Sequence, residues 1–354
     1  RTFNPSLMLP FLFTVFVASS LLVTVDATPA GEQLPTLNID GFAWAENLAF
    51  DGLGNVFVSE NTRGELWKIS LCTNGTAYSS DMVLTDGVKK FGGLQVAPDG
   101  KTLVIGATMD DGSTAVLSTS TQDSGYESKE KSYEVVAQTI AQPNGLAADW
   151  ERKMLYYTFE GTADSIGSLM GIDLQTGKET QLAKIPFADG CWYEPSQSLL
   201  YVGIMTSLKI KVYSTDVPTT SDDKLVFIGE YPALSEALAD GTHFLDDLTV
   251  YHDDDSSSNA AKSAKEEDVA NTKMLGADFM GKMLHVFYLN GTLVESFDAL
   301  PASSSSSSSS FHQITSVRWG QGPGFDASSV YITEGGGMAA ALTNRRVMQL
   351  RMDA

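Results

Sequence analysis

A unit that recurs six times restricts this chain to a small set of folds. Each copy opens on a small or polar pair followed by an apolar residue: Glu46-Asn47-Leu48, Gly92-Gly93-Leu94, Asn144-Gly145-Leu146, Asp189-Gly190-Cys191, Asp246-Asp247-Leu248 and Thr315-Ser316-Val317. Successive copies start roughly 45–70 residues apart, a period typical of propellers and repeat arrays. Behind each opening come short β-branched and aromatic runs. In the first copy these are Asn55-Val56-Phe57-Val58 and Leu66-Trp67-Lys68-Ile69, and in the third Met154-Leu155-Tyr156-Tyr157 and Leu169-Met170-Gly171-Ile172. Turn formers such as Asp51-Gly52 and Pro98-Asp99-Gly100 punctuate them, so they read as strands. Sustained 3.6-residue periodicity with caps is missing beyond the N-terminal segment, and helix is expected to contribute little. One small antiparallel sheet cannot bury both faces, whereas sheets stacked radially can, with only short edges left over. The expected fold is all-β: a six-bladed β-propeller of four-stranded antiparallel blades.

The repeat runs to the C-terminus without a linker, so residues 28–354 are expected to form one domain. A net charge of −21 argues against nucleic acid, whose phosphates attract basic surfaces, and fits simple solubility outside the cell. Residues 1–27 read as a secretory signal peptide, with Arg1, an apolar run from Leu7 to Val25 and small residues at Val25-Asp26-Ala27. An uncleaved signal anchor is the competing reading, because the run is about long enough to span a bilayer. The sequons at Asn74 and Asn290 agree with a secretory route and predict glycosylation there. The expectation is a secreted or lumenal monomer with no membrane span after cleavage. Cys72 and Cys191 are expected to stay unpaired, Cys191 buried as a small hydrophobe. Two low-complexity inserts, 253–271 and 303–310, are expected to be surface loops. The run Asp253-Asp254-Asp255 lacks the spacing of a Ca²⁺ loop.

In a propeller the innermost strand of each blade starts beside the central channel. The six lead residues, one from each copy, then face one another. Among them Glu46, Asn144, Asp189 and Asp246 bring three carboxylates and a carboxamide to one small volume. Three carboxylates alone repel, and each is costly to desolvate. A divalent cation resolves the conflict, and all-oxygen ligation selects Ca²⁺ before Mg²⁺, Mn²⁺ or Zn²⁺. The competing reading is that these groups hydrogen-bond tunnel water or cap strand ends, since Asn-Gly and Asp-Gly pairs are ordinary turn formers.

Pro143-Asn144-Gly145-Leu146, Ala188-Asp189-Gly190, Ala45-Glu46-Asn47-Leu48 and the stretch from Gly161-Thr162 to Gly167-Ser168-Leu169 resemble the regucalcin/gluconolactonase group of six-bladed propellers. The resemblance spans essentially all of the chain after residue 27, through short motifs. It implies that the family's metal-ligand glutamate falls on Glu46, its first asparagine on Asn144, its second on Asp189 and its aspartate on Asp246. Diisopropyl fluorophosphatase and the paraoxonases are similar in fold and metal placement. Two departures stand out. Asp189 adds a charge where the family usually has asparagine, and Leu245-Asp246-Asp247-Leu248 replaces the usual Pro-Asp-Gly. Asp246 aligns with the other lead residues, and Asp247 at the next position should point away.

The reaction that the resemblance implies is Ca²⁺-assisted hydrolysis of a lactone or related ester, a small-molecule substrate, with Asp246 as the base. His243 and His312 each lie three residues before a lead residue, in loops expected above the channel, where an imidazole can meet substrate or move a proton. Diisopropyl fluorophosphatase-like sites carry a histidine on the sixth blade, which makes His312 the second catalytic candidate. His243 and Thr315 are the substrate-binding candidates. His252 and His285 lie farther along their blades, and no catalytic role is expected for them. Trp44, Phe42, Phe91, Phe244 and Phe311 adjoin lead residues and suit either an apolar wall at the mouth or the core. Two other functions share this fold: a non-catalytic extracellular propeller that binds a partner, and a strictosidine synthase-like enzyme. The latter predicts a single catalytic Glu without a metal cage, against which the four oxygen-bearing lead residues argue.

Overall fold

The computed structural model describes residues 38–71, 78–122, 133–162, 165–206, 208–217, 225–232, 243–250, 269, 272–297, 313–323, 325, 327, 329–335 and 345–351. The signal-peptide segment, both low-complexity inserts apart from Val269, Asn74, Cys72 and His312 lie outside them. The described residues contain 24 strands, numbered β1 to β24 in chain order, and these form four-stranded antiparallel sheets. The molecule is a β-propeller. Each sheet begins with the strand that carries a lead residue, or directly follows one: β2 (Ala45–Phe50), β6 (Val88–Val96), β10 (Leu146–Asp149), β14 (Ala188–Glu194), β18 (Leu245–Val250) and β22 (Gln313–Trp319). The next strand of each sheet is the first apolar run after that residue, for example β3 (Asn55–Glu60), β11 (Met154–Thr162), β19 (Lys273–Asp278) and β23 (Ser329–Gly335).

These inner strands are neighbours in a closed ring: β2 touches β6, β6 touches β10, and the series continues through β14 and β18 to β22, which returns to β2. The core lies between sheets and not within one. Each hydrophobic cluster straddles two neighbours, as where Leu199, Tyr201 and Ile210 of one sheet pack on Leu245, Leu248 and Phe287 of the next. At the junction of the first and last sheets, Phe50, Phe325 and Tyr331 pack edge to face with centroids 5.0–5.5 Å apart. Such rings contribute beyond the area they bury.

The last sheet is completed by a strand that precedes the first lead residue. Its order is β22-β23-β24-β1, where β1 (Asn38–Phe42) pairs antiparallel with β24 (Arg345–Arg351). This tie makes β1 the outer strand of the last sheet and joins the two ends of the ring by main-chain hydrogen bonds.

Of the aromatic residues beside the lead residues, Phe42 and Phe91 belong to the core. Trp44 is half-buried and stacks on Phe279, with centroids 5.9 Å apart. Cys191 is a free, fully buried thiol, and burial pushes its pKa up. Asn290 is exposed in the turn between β20 (Met283–Tyr288) and β21 (Leu293–Phe297), its side-chain oxygen accepting from Thr292 N at 2.9 Å. Among the described residues no helix is long and apolar enough to cross a membrane.

Candidate metal centre at the inner strands

The pairs that open the repeats sit where the sheet ladder is interrupted. Register breaks fall between Ala45 and Leu48, Phe91 and Leu94, Ala188 and Cys191, Leu245 and Asp247, and Ile314 and Ser316. A bulge of this kind leaves a residue unpaired and re-aims its side chain, and bulges gather next to functional sites. These breaks therefore turn Glu46, Asp189, Asp246 and Thr315 out of the ladder. The small residue that follows has a separate cause. A Cβ on Gly145 would lie 2.5 Å from Asp189 O, and one on Gly190 would lie 2.6 Å from Asp246 O. In the second, third and fourth sheets the opening backbone of the next inner strand presses against this residue, and only glycine leaves room.

Hydroxyls on the second strands fix the carbonyls of these lead residues. Ser59 Oγ donates to Gly92 O at 2.9 Å, Thr158 Oγ1 donates to Asp189 O, and Thr333 Oγ1 donates to Glu46 O at 3.1 Å. Thr315 acts on a neighbouring carbonyl, its buried hydroxyl donating to Ala45 O at 2.6 Å, with Thr333 Oγ1 2.9 Å away.

Asn144 and Asp189 meet through their side chains, and Asp246 and Glu46 lie near enough to act on Asp189 by charge. Asn144 Nδ2 donates to Asp189 Oδ1 at 2.5 Å and to Glu160 Oε1 at 3.1 Å. Asp246 lies close enough to raise the pKa of Asp189 by its charge, and Glu46 raises both aspartates in the same way. Burial is the largest influence on each of these carboxyls. It pushes Glu46 up to about 7 against the opposing hydrogen bonds from Trp44 and Asn61, with the charges of Glu160 and Asp247 adding to the rise. Burial, followed by the charge of Asp246 on Asp189 and of Glu46 on Asp246, holds both aspartates well above the ordinary carboxylate range. Glu160 is exposed to the cavity, but the protein around it still raises its carboxyl. Asp189 Oδ2 is buried with no hydrogen-bond partner. A crowded, desolvated set of oxygens with one acceptor unspent fits a hard divalent cation. A cavity of about 570 Å³ opens beside it, lined in part by Glu46, Asn61, Lys90, Gln142, Asn144 and Glu160.

Asp247 faces the other way. Its Oδ2 accepts from Ser316 Oγ at 2.5 Å, from Val317 N at 3.2 Å and from Arg318 Nη1, and both charged groups are buried. The Arg318 guanidinium lies over the Trp192 ring, 5.4 Å from its centroid. This pair joins neighbouring sheets and stays out of the channel.

Sequence reasoning passed over a second register of carboxylates. Glu60, Asp278 and Glu334 occupy equivalent places at the end of second strands, opposite Ala45, Leu245 and Ile314. Glu160 lies near the end of the same strand of the third sheet, two residues before its last. The signal was an acidic residue closing the apolar run, as in Val56-Phe57-Val58-Ser59-Glu60 and Gly276-Ala277-Asp278. Two of these residues tie backbone. Glu60 accepts from Trp44 N at 2.7 Å, Thr62 N at 3.1 Å and Arg63 N, and Asp278 Oδ1 accepts from Phe244 N at 3.1 Å and Gly281 N at 2.8 Å. Asp278 Oδ2 contacts His243 Nδ1, and His285 Nε2 at 3.1 Å. Burial raises the Asp278 carboxyl, but donors from His285, His243, Gly281 and Phe244 together outweigh it and hold the pKa below the ordinary value.

No protein-family model and no curated protein sequence matches the chain. Solved structures do. A luciferin-regenerating enzyme superposes with a TM-score of 0.62 at 15% identity, over 90% of this chain and 95% of that one. Regucalcin of Agrobacterium tumefaciens, a calcium-binding protein, gives 0.58 at 13%, over 87% and 90%. A gluconolactonase of Xanthomonas campestris gives 0.54 at 13%, over 93% and 97%. At such identities the likeness shows the propeller fold alone.

Proposed function

We propose that this chain is a secreted six-bladed propeller that hydrolyses a lactone or related ester at a Ca²⁺ site formed by Glu46, Asn144, Asp189 and Asp246. The observation that carries the reading is the desolvated neighbourhood of charged carboxyls around Asp189, whose Oδ2 is left unpartnered. That two structural neighbours are a calcium-binding regucalcin and a gluconolactonase supports both the ion and the reaction class.

When bound, the ion polarises the ester carbonyl. The chain's own residues do the rest. The cavity walls, with Asn61, Lys90 and Gln142, orient a polar substrate next to the carboxylates. Asp246, half-buried beside Asp189, takes a proton from the attacking water as its oxygen bonds to the acyl carbon. The bond from that carbon to the ring oxygen breaks, and the leaving oxygen is protonated to a hydroxyl. His312, outside the described residues, is the proposed donor of that proton, and His243 is proposed to meet substrate through Nε2. Asn290 is the proposed glycan site within the described residues.

The test is a panel of lactones and aryl esters assayed with chelated and with Ca²⁺-restored protein. Turnover should need the ion. Asp246→Asn should retain part of the Ca²⁺ binding and lose most of the rate, on the scale of about 100- to 10,000-fold for a removed base. An Asp246→Asn protein at full rate removes that residue from the mechanism. Absence of turnover across the panel favours the partner-binding propeller.

A further inference from the structure

The end of β19, the third strand of the same sheet, β20, and the segment just before β18 bring two imidazoles to one carboxylate oxygen. The first sheet reveals that this is surplus to the fold. Glu60, in the equivalent position, spends both oxygens on backbone amides: Oε1 on Trp44 and Thr62, Oε2 on Arg63. Asp278 does the corresponding work with Oδ1 alone, through Phe244 N and Gly281 N. Its Oδ2 is left to His243 Nδ1 and His285 Nε2, and the three atoms lie within 4.8 Å of one another.

The remaining atoms are tied so that these three converge. Ser296 Oγ holds His285 Nδ1 at 2.8 Å, which fixes the ring with Nε2 inward. The two amides fix the carboxylate in the same way. Asp278 and His285 are buried, and only the His243 side, at 12% exposure, opens to solvent. A Cβ on Gly281 would collide with Asp278 Oδ2 and His243 Nδ1, so the turn packs flush over the cluster.

We propose that His243, Asp278 and His285 form a second cation site that takes a borderline transition ion, Zn²⁺ first. Two imidazoles and one carboxylate make the three-ligand set of an open Zn²⁺ site. Ca²⁺ needs six to eight oxygens, which this group cannot supply. The two centres are therefore chemically sorted, oxygen-only at the channel and nitrogen-rich here. Without an ion, His243 Nδ1–H and His285 Nε2–H donate to Oδ2. With an ion both protons move to the opposite ring nitrogens, and the Ser296 hydroxyl, which can donate or accept, satisfies His285 in either state. His243 binds through Nδ1 and keeps Nε2 for substrate.

The chain has four histidines, two of them in this cluster, which makes the test clean. Untagged full-length protein is stripped of metal, then titrated with Co²⁺ and Zn²⁺ in excess Ca²⁺. The expected result is one Co²⁺ per chain with the visible bands of low-coordinate cobalt, displaced by Zn²⁺. Ser296→Ala should weaken Zn²⁺ binding by about 10- to 100-fold, and His243→Gln by at least as much. His243 lies at the open edge, so its variant should fold as the wild type does by circular dichroism. His252→Gln and Glu46→Gln should keep the site. A wild type that takes up no Co²⁺ or Zn²⁺ overturns the proposal. So does uptake that survives His243→Gln, or that disappears with His252→Gln or Glu46→Gln.

Discussion

The carboxyl of Glu46 is the group where burial and function are most plainly opposed. Its pKa rises from 4.5 to about 7, first through burial. A group raised on folding stabilises the fold fully below its unfolded value and loses that contribution as pH climbs through the folded one. Metal-free protein should therefore lose stability between about pH 5 and pH 8, by on the order of 3 kcal/mol from this group. Melting curves across that range test it: Glu46→Gln should flatten the slope, and a wild-type melting temperature that rises with pH contradicts the assignment. Asp247 makes the contrasting case. Its buried partner Arg318 would be left uncompensated in Asp247→Ala, at a cost of about 3–5 kcal/mol, readable by denaturant unfolding. In sequence the two adjacent aspartates, 246 and 247, differ only by register with the other repeats. What that register could not show was the use each is given, because Arg318 and Ser316 come from a different repeat.

Among elements, the inner strands carry the most information per residue. Their polar pairs were legible as a repeat because the bulge and the close approach of neighbouring backbones recur from copy to copy. Gly190→Ala places a methyl against Asp246 O and the Asp247 backbone, an overpacking that should cost about 1–3 kcal/mol and weaken Ca²⁺ binding together. If only stability falls, the inner-strand packing does not set the position of the ligands. The hydroxyls and carboxylates of the second strands were less legible. Ser59, Thr158 and Thr333 act on the next sheet's inner strand, a relation that only the ring geometry creates. Glu60 and Asp278 act on backbone amides, which leave no trace in side-chain patterns.

For the whole molecule, the strand runs and the repeat were enough to read an all-β propeller, because radial stacking lets such sheets bury both faces. The closure was hidden. The segment Asn38–Phe42 matches no repeat on its own, and its role exists only once β24 lies beside it. The ring matters to the site because Glu46 on β2 must meet Asp246 on β18 across the channel, with β22 of the last sheet between them. The central claim is that this meeting holds one hard cation. Calorimetric titration of Ca²⁺ into metal-free wild type and Glu46→Gln, paired with melting curves, tests it most directly. A single binding event is expected in the wild type, with a gain of about 3–4 kcal/mol when Ca²⁺ reaches a few hundred times Kd. Both should be lost or sharply weakened in Glu46→Gln. A wild type with no heat of binding, whose melting temperature responds neither to Ca²⁺ nor to chelation, contradicts the claim.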